Sequence, residues 1–302
     1  MNQMTQWPYK AFNRGRWPND LGTLNLLGPD CVKRAVASIM SHEVLSLGAP
    51  LRIDDAKLRT DAYEHQMVQV GKYDYSPEAE PVQSASDKFS VAIHGMTNSH
   101  IDAFSHVGHR GLAFNDVPFQ DVVSMEGAKK FSIMDNPAIV TRAWLVDVPK
   151  ARGLPALRPG TPVLPADIAH LEGHIAPGDA LVIRTGRYAT KVVTADDPEA
   201  ADNHGNWSGL HVDCLELVEK WDVVTVATDS SGDNFPSTTP ECSVPIHVIT
   251  ESYLGLPLIH HLDLEAIATK FIDRGRTDFY FCVAPLKVVG GTGSPVSPTA
   301  VI

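Results

Sequence analysis

Short apolar runs recur along the chain, separated by segments whose apolar positions fall three or four residues apart. A short continuous or alternating run reads as a strand, and the wider spacing as an amphipathic helix. Strands are therefore expected at residues 43–47, 89–93, 143–148, 180–185, 223–228 and 278–284. Helices are expected at 31–40 behind Asp30 as N-cap, at 165–173, 212–220 and 247–254, and at 264–274 behind Asp263 as N-cap. This interleaving predicts an α/β fold, a mixed sheet core with peripheral helices. No repeat or boundary is visible, so residues 1–302 read as one domain. Two polar stretches, 54–88 and 193–209, are long for connections and read as lids or oligomer contacts. Before His94, Phe89, Val91 and Ile93 alternate with Ser90, Ala92 and His94. That face either borders a site or meets water.

Composition is that of an ordinary globular protein, 43% hydrophobic and 20% charged over 302 residues. The formal net charge of −11 disfavours nucleic acid, which needs a basic face. The longest apolar runs are strand-length, and the first residues show neither a basic nor an apolar leader region. Membrane insertion and secretion are not expected. Cys31, Cys214, Cys242 and Cys282 lie far apart, which argues against a disulfide framework or a thiolate metal site and for reduced cytoplasmic residues. Cys282 reads as a small apolar residue in a buried strand.

The chemistry concentrates at residues 93–109. His94, His100, Asp102 and His106 fall within fourteen residues, with His109 just beyond. Imidazole with carboxylate suits Zn²⁺, Mn²⁺ or Fe²⁺. His100 and Asp102 share a side if the chain is extended, and Asp102 and His106 share a face if a helix begins at the aspartate. A strand running into a helix would point all three inward. Other strings carry less. Residues 290–295 are glycine-rich but lack the Lys-Ser/Thr ending of a phosphate loop. Residues 229–233 follow the expected strand at 223–228 and read as an ordinary turn, although a strand end there could line a site. There is no Gly-x-Ser-x-Gly elbow.

These residues resemble the cyclase-like metal-dependent hydrolases, a family that includes bacterial kynurenine formamidase and isatin hydrolase. Its motif, His-x-Gly-Thr-His-x-Asp-x-Pro-x-His, is matched in its second half by residues 99–106, with Phe104 in place of proline. Residues 15–25 resemble the N-terminal arm of the longer branch, residues 283–296 its C-terminal end, and 178–186 and 245–247 also fit. The resemblance covers nearly the whole chain. It implies the single-domain swivelling β/β/α fold, with an arm over about residues 1–30, and a homo-oligomer, dimer or tetramer. It implies His100 and Asp102 as ligands of one divalent ion, Zn or Mn, and His106 as general base or an additional ligand. Where the motif has its first histidine this chain has Met96, and the His94-Gly95 pair of the longer branch supplies His94 as the remaining ligand. Downstream, His247 matches a family histidine, while His260 occupies an acidic position. His109, His247 and His260 are the further site candidates. His260 and His261 also fit a surface turn, and His247 a helix cap or core position.

An ion held by His94, His100 and Asp102 with an open position would lower the pKa of bound water toward roughly 7. His106 would carry a proton to the leaving atom. Such parts hydrolyse amides, cyclic amides or lactones of small molecules. Met96 and His260 motivate one alternative, a metal-poor member acting as a small-molecule binder. Another keeps the metal for ring closure or dehydration.

Overall fold

The computed structural model describes residue 13 and residues 15–51, 63–73, 82–96, 98–189, 206–271 and 275–302. The expectations placed on 1–12, 54–62, 74–81, 193–205 and 272–274 lie outside the described residues. In chain order the strands are β1 (Val44–Ser46), β2 (Glu64–Tyr73), β3 (Val82–Ser90), β4 (His100–Asp102), β5 (Val123–Ser124), β6 (Gly127–Ala128), β7 (Ile139–Asp147), β8 (Ala180–Arg184), β9 (Thr225–Thr228), β10 (Leu258–His260), β11 (Asp278–Val283), β12 (Gly293–Pro295) and β13 (Thr299–Val301). One mixed sheet runs β1-β13-β11-β7-β8-β9-β10-β4-β12. Strands β7 to β10 are parallel neighbours, and the other pairs are antiparallel.

The centre of this sheet is apolar on both faces because both faces are covered. Along β8, Ala180 and Val182 join one core while Leu181 and Ile183 join the other. A strand in that position has no polar side to display, hence its unbroken apolar run. The same division places Ile101 and Ile259 in the first core. Their neighbours His100, Asp102 and His260 therefore project from the opposite face.

Every expected helix has a counterpart, four of them shortened and the one at 247–254 starting earlier, at Pro245. Helix Pro29–Ala37 starts with proline at its first position and Gly28 at the N-cap. Asp30 is thus inside the first turn, where its charge suits the positive helix end, and is not the cap. Residues 165–173 form Pro165–Ile168 and a 3₁₀ turn, Ala169–Leu171. Helix Cys214–Lys220 fills the third window. In the fourth, Pro245–His247 passes into a π-helical stretch, Val248–Leu254, the kind of irregularity often found at functional sites. Helix Glu265–Lys270 begins where Asp263 accepts the Glu265 N–H at 3.2 Å.

The polar stretch 54–88 contains an unexpected hairpin, β2 with β3. Its strand β3 is exposed throughout, so burial imposed no pattern for the sequence to reveal. Strand β3 also ends at Ser90, short of the expected 93, and the chain turns there instead, with Gly95 N–H on the Ala92 carbonyl at 3.0 Å. The arm residues clamp the far end of the π-helical stretch. Thr23 N–H donates to Gly255 O at 2.7 Å. A Cβ on Gly22, whose φ is +52°, would lie 2.0 Å from that oxygen, so only glycine fits. Among the described residues no helix is long and apolar enough to cross a membrane. The four cysteines form no disulfide, and Cys282 lies in the largely buried strand β11, itself partly buried.

Candidate metal centre

Strand β4 lies between β10 and β12, with His100 opposite His260 and Asp102 opposite Gly293. As an extended segment it puts His100 and Asp102 on one side, as the spacing required. No helix follows. The chain makes a turn closed by His106 N–H on Ala103 O at 2.8 Å, because Phe104 plunges into an aromatic cluster with Phe114 and Phe131. The turn still returns His106 to the site, its ring stacked on that of His94 at 3.4 Å. His94 arrives from its own turn and not from a strand face. The alternation argument for it fails, yet its Nδ1 lies 2.8 Å from Asp102 Oδ1.

Asp102 is fully buried and each of its oxygens faces two imidazoles. Oδ1 is 2.8 Å from His94 Nδ1 and 3.6 Å from His100 Nε2. Oδ2 is 2.8 Å from His260 Nε2 and 3.6 Å from His247 Nε2. The donor atoms of His94, His100 and Asp102 lie within 4.8 Å of one another, as do those of Asp102, His247 and His260. A metal-ligating histidine needs its other nitrogen held by an acceptor, which fixes the ring and its tautomer. His94 has the Thr292 hydroxyl at 2.9 Å, His100 the Asn98 carbonyl at 2.9 Å, and His247 the Asp233 carboxylate at 2.5 Å. His260 differs. Its Nδ1 is buried with no partner among the described residues, and a protonated nitrogen there would cost about 1–3 kcal/mol. His260 therefore suits a hydrogen bond from Nε2–H to Asp102 better than a bond to metal.

Protonation states follow from burial and neighbours. Burial alone would raise the Asp102 carboxyl, but His260 and His100, together with the hydrogen bonds of His260 and His94, hold it well below the usual carboxylate range. Burial pushes His100 and His106 each down to about 3, against the pull of Asp102. Burial lowers His247, but the hydrogen bond and charge of Asp233 together with the charge of Asp102 outweigh it and leave the ring raised. A carboxylate with imidazoles whose outer nitrogens are already bonded is the donor set a Zn- or Mn-type ion takes, so these residues fit such a group.

The family model Cyclase, described as "Putative cyclase", matches residues 40–232. The chain belongs to the Cyclase family. No curated protein matches it. A crystal structure described as a novel cyclase shares 24% identity and a TM-score of 0.82, covering 96% of this chain and 97% of its own. Isatin hydrolase A from Labrenzia aggregata, bound to benzyl benzoate, shares 18% identity with a TM-score of 0.59, covering 88% and 94%. A structure described as a predicted metal-dependent hydrolase from Bacillus stearothermophilus shares 17% identity with a TM-score of 0.50, covering 85% and 97%. These likenesses establish the cyclase-like fold.

In this Cyclase-family chain the histidines floor a cavity of about 380 Å³ walled by Met96, Trp207, Phe235 and Val244. His94, His100, His106, His247 and His260 all line it. His109 does not; it hydrogen-bonds Tyr253 at 2.6 Å. His260 and His261 are not a surface pair, being 1% exposed each. Nor is 229–233 an ordinary turn, since Ser231 and Asp233 line the cavity. Further carboxylates belong to this region: Asp233 holds His247, and the buried Glu251 is raised by burial and by the charge of Asp102. Arg187, which the sequence reading missed, and Asp229, Asp233 and His261, which it weighed as turn residues, follow the carboxyl ends of β8, β9 and β10. Crevices at such strand ends are where ligands bind open parallel sheets, and that rule was the available signal.

Two predictions arise here. Thr292→Val should weaken zinc binding about 10–100-fold by freeing the His94 ring, and His94→Ala should weaken it more. Met96→Leu should be nearly neutral, because it conserves apolar volume. Competition with a chromophoric chelator measures all three, and the reverse ranking would remove His94 from the site. In protein stripped of metal, acid should unfold the chain early. Burial lowers His100, His106, His260 and His261, so these take up protons on unfolding below about pH 6.5. Burial raises Glu251 and Asp229, and Asp233 and Asp102 raise His247 against burial, so these hold protons more tightly in the folded chain and offset part of that uptake. The lowered histidines outnumber them, so stability should fall as the pH drops from 6 to 5. Urea titrations showing a flat profile there would contradict these environments.

Proposed function

We propose that this chain is a metal-dependent hydrolase that opens an amide, cyclic amide or lactone of a small molecule, with His94, His100 and Asp102 holding one divalent ion, Zn or Mn. The observation that carries this reading is the buried Asp102 carboxylate, shared by imidazoles whose outer nitrogens are already bonded, at the floor of an open cavity. A divalent ion at these residues supplies the charge that makes water a nucleophile at neutral pH. His106, neutral and fixed against His94, accepts the proton of the attacking water and passes it to the leaving nitrogen or oxygen. Trp207, Phe235 and Val244 take up the apolar part of the substrate and keep bulk water from it. That His260 Nδ1 has no partner among the described residues favours one ion over two.

A formanilide, an isatin-like lactam and a small lactone test the reading directly. Hydrolysis of at least one is expected, lost on chelation and restored by Zn or Mn. Tight binding of all three without turnover by the metal-loaded protein would favour a binder. Formation of a cyclised or dehydrated product from an open-chain analogue would favour the ring-closing chemistry.

A further inference from the structure

Arg187 follows β8 in a loop gathered around one buried carboxylate. Asp229 accepts the backbone N–H groups of Thr185, Gly186 and Arg187 together with the Thr185 hydroxyl. So anchored, the Arg187 guanidinium lies 5.1 Å over the Trp207 ring, donates to Met96 O at 2.8 Å, and meets Nδ1 of His261. A guanidinium has donors only. Nδ1 must therefore accept, which leaves the ring hydrogen of His261 on Nε2. No acceptor among the described residues takes that hydrogen, although the residue is buried and lines the histidine cavity. The ring lies 5.6 Å from that of His100. Its backbone is held left-handed at φ +57°, with its N–H on Ser230 O at 3.1 Å and its carbonyl accepting from Ser99 Oγ at 2.7 Å. A non-glycine residue keeps such a conformation only where its surroundings impose it.

We propose that His261 donates a hydrogen bond from Nε2–H to the substrate carbonyl oxygen as it becomes an oxyanion, and that Arg187 is the positioning residue that fixes this tautomer. The proposal rests on the hydrolytic reading above. When the water oxygen bonds to the carbonyl carbon, the π pair moves onto the carbonyl oxygen and the water proton passes to His106. His261 holds the resulting negative charge without giving up its proton. Collapse re-forms C=O and breaks the C–N or C–O bond, and the leaving atom takes the proton from His106. A donor aimed in advance at the developing charge needs no reorganisation during the reaction.

Two readouts test this. The first is the ¹⁵N signature of the His261 ring, identified by its loss in His261→Gln. Wild type should show a pyrrole-type Nε2 and a pyridine-type Nδ1, and Arg187→Met should show a mixture of tautomers. A pyrrole-type Nδ1 or a mixture in wild type overturns the proposal whatever the activity. The second is kinetic, on whichever of the formanilide, lactam and lactone wild type hydrolyses. His261→Phe should lower kcat by about 10²–10³ with little change in KM, the usual cost of one oxyanion donor. His261→Gln, which returns an N–H near the Nε2 position, should recover most of that loss. Unchanged kcat in folded His261→Phe overturns the proposal. If that variant does not fold, Arg187→Met decides: its kcat should fall with metal content intact, and an unchanged kcat overturns the positioning role. Wild type that hydrolyses none of the three defeats the hydrolytic reading and the oxyanion role with it, while the ring signature still reports whether Arg187 sets the tautomer.

Discussion

Asp102→Asn is expected to strip the site of metal and to abolish turnover. Asparagine keeps the shape of the side chain but loses the negative charge, and it presents an amide N–H₂ where an oxygen now faces imidazole nitrogens. Oδ1 serves His94 and His100, and Oδ2 serves His260 and His247, so either orientation of the amide sets donors against one pair. Metal affinity should fall by more than the roughly 100-fold that loss of an outer-shell partner can cost. Stability should also fall, by about 1–3 kcal/mol for each buried imidazole left unpaired. The carboxylate's central position makes a softened fold the expected result. Elemental analysis with a urea titration checks both, and unchanged metal content in the folded variant would remove Asp102 from the ligand set.

His106→Asn is expected to keep its metal and lose its rate. His106 lines the cavity and stacks on His94, but it belongs to neither group of converging donor atoms around Asp102. Turnover should fall by roughly 10²–10⁴, the range a positioned acid or base contributes, while substrate still binds. Because burial pushes the ring down to about 3, it is already neutral throughout the range from pH 5 to 8. A nearby cation pushes the same way. No acid limb from His106 should therefore appear in the rate profile above about pH 5, whereas an unperturbed histidine would put one near 6.5. So weak a base is a strong donor, and its larger effect should fall on protonation of the leaving atom. Loss of metal together with rate would make His106 a ligand and shift the proton-carrying role to His247, which Asp233 orients.

What the sequence disclosed and what it hid divide along physical lines. Strands β8 and β9 were legible because burial on both faces forces an unbroken run, and β7 and β11 because buried positions recur along most of their length. His100 and Asp102 were legible because two residues apart in an extended segment is a local relation. Strands β4, β10, β12 and β13 have three residues each, too few to establish a period. The hairpin of β2 and β3 escaped because its side chains bury little. The four-residue spacing of Asp102 and His106 allows a helix that the structure replaces by a turn, since spacing alone does not reveal that Phe104 is drawn into the cluster of Phe114 and Phe131. Thr292, Asp233 and His261 come to the site from sequence separations of 131 to 190 residues from Asp102, brought in by the sheet order. No local motif could announce them.

The central claim is that Asp102 and its histidines hold a catalytic divalent ion, and metal content tests it most directly. Wild-type protein purified without added ions should carry near-stoichiometric zinc or manganese, or take it up on dialysis against either salt. A folded wild-type chain that holds neither after such dialysis would contradict the account.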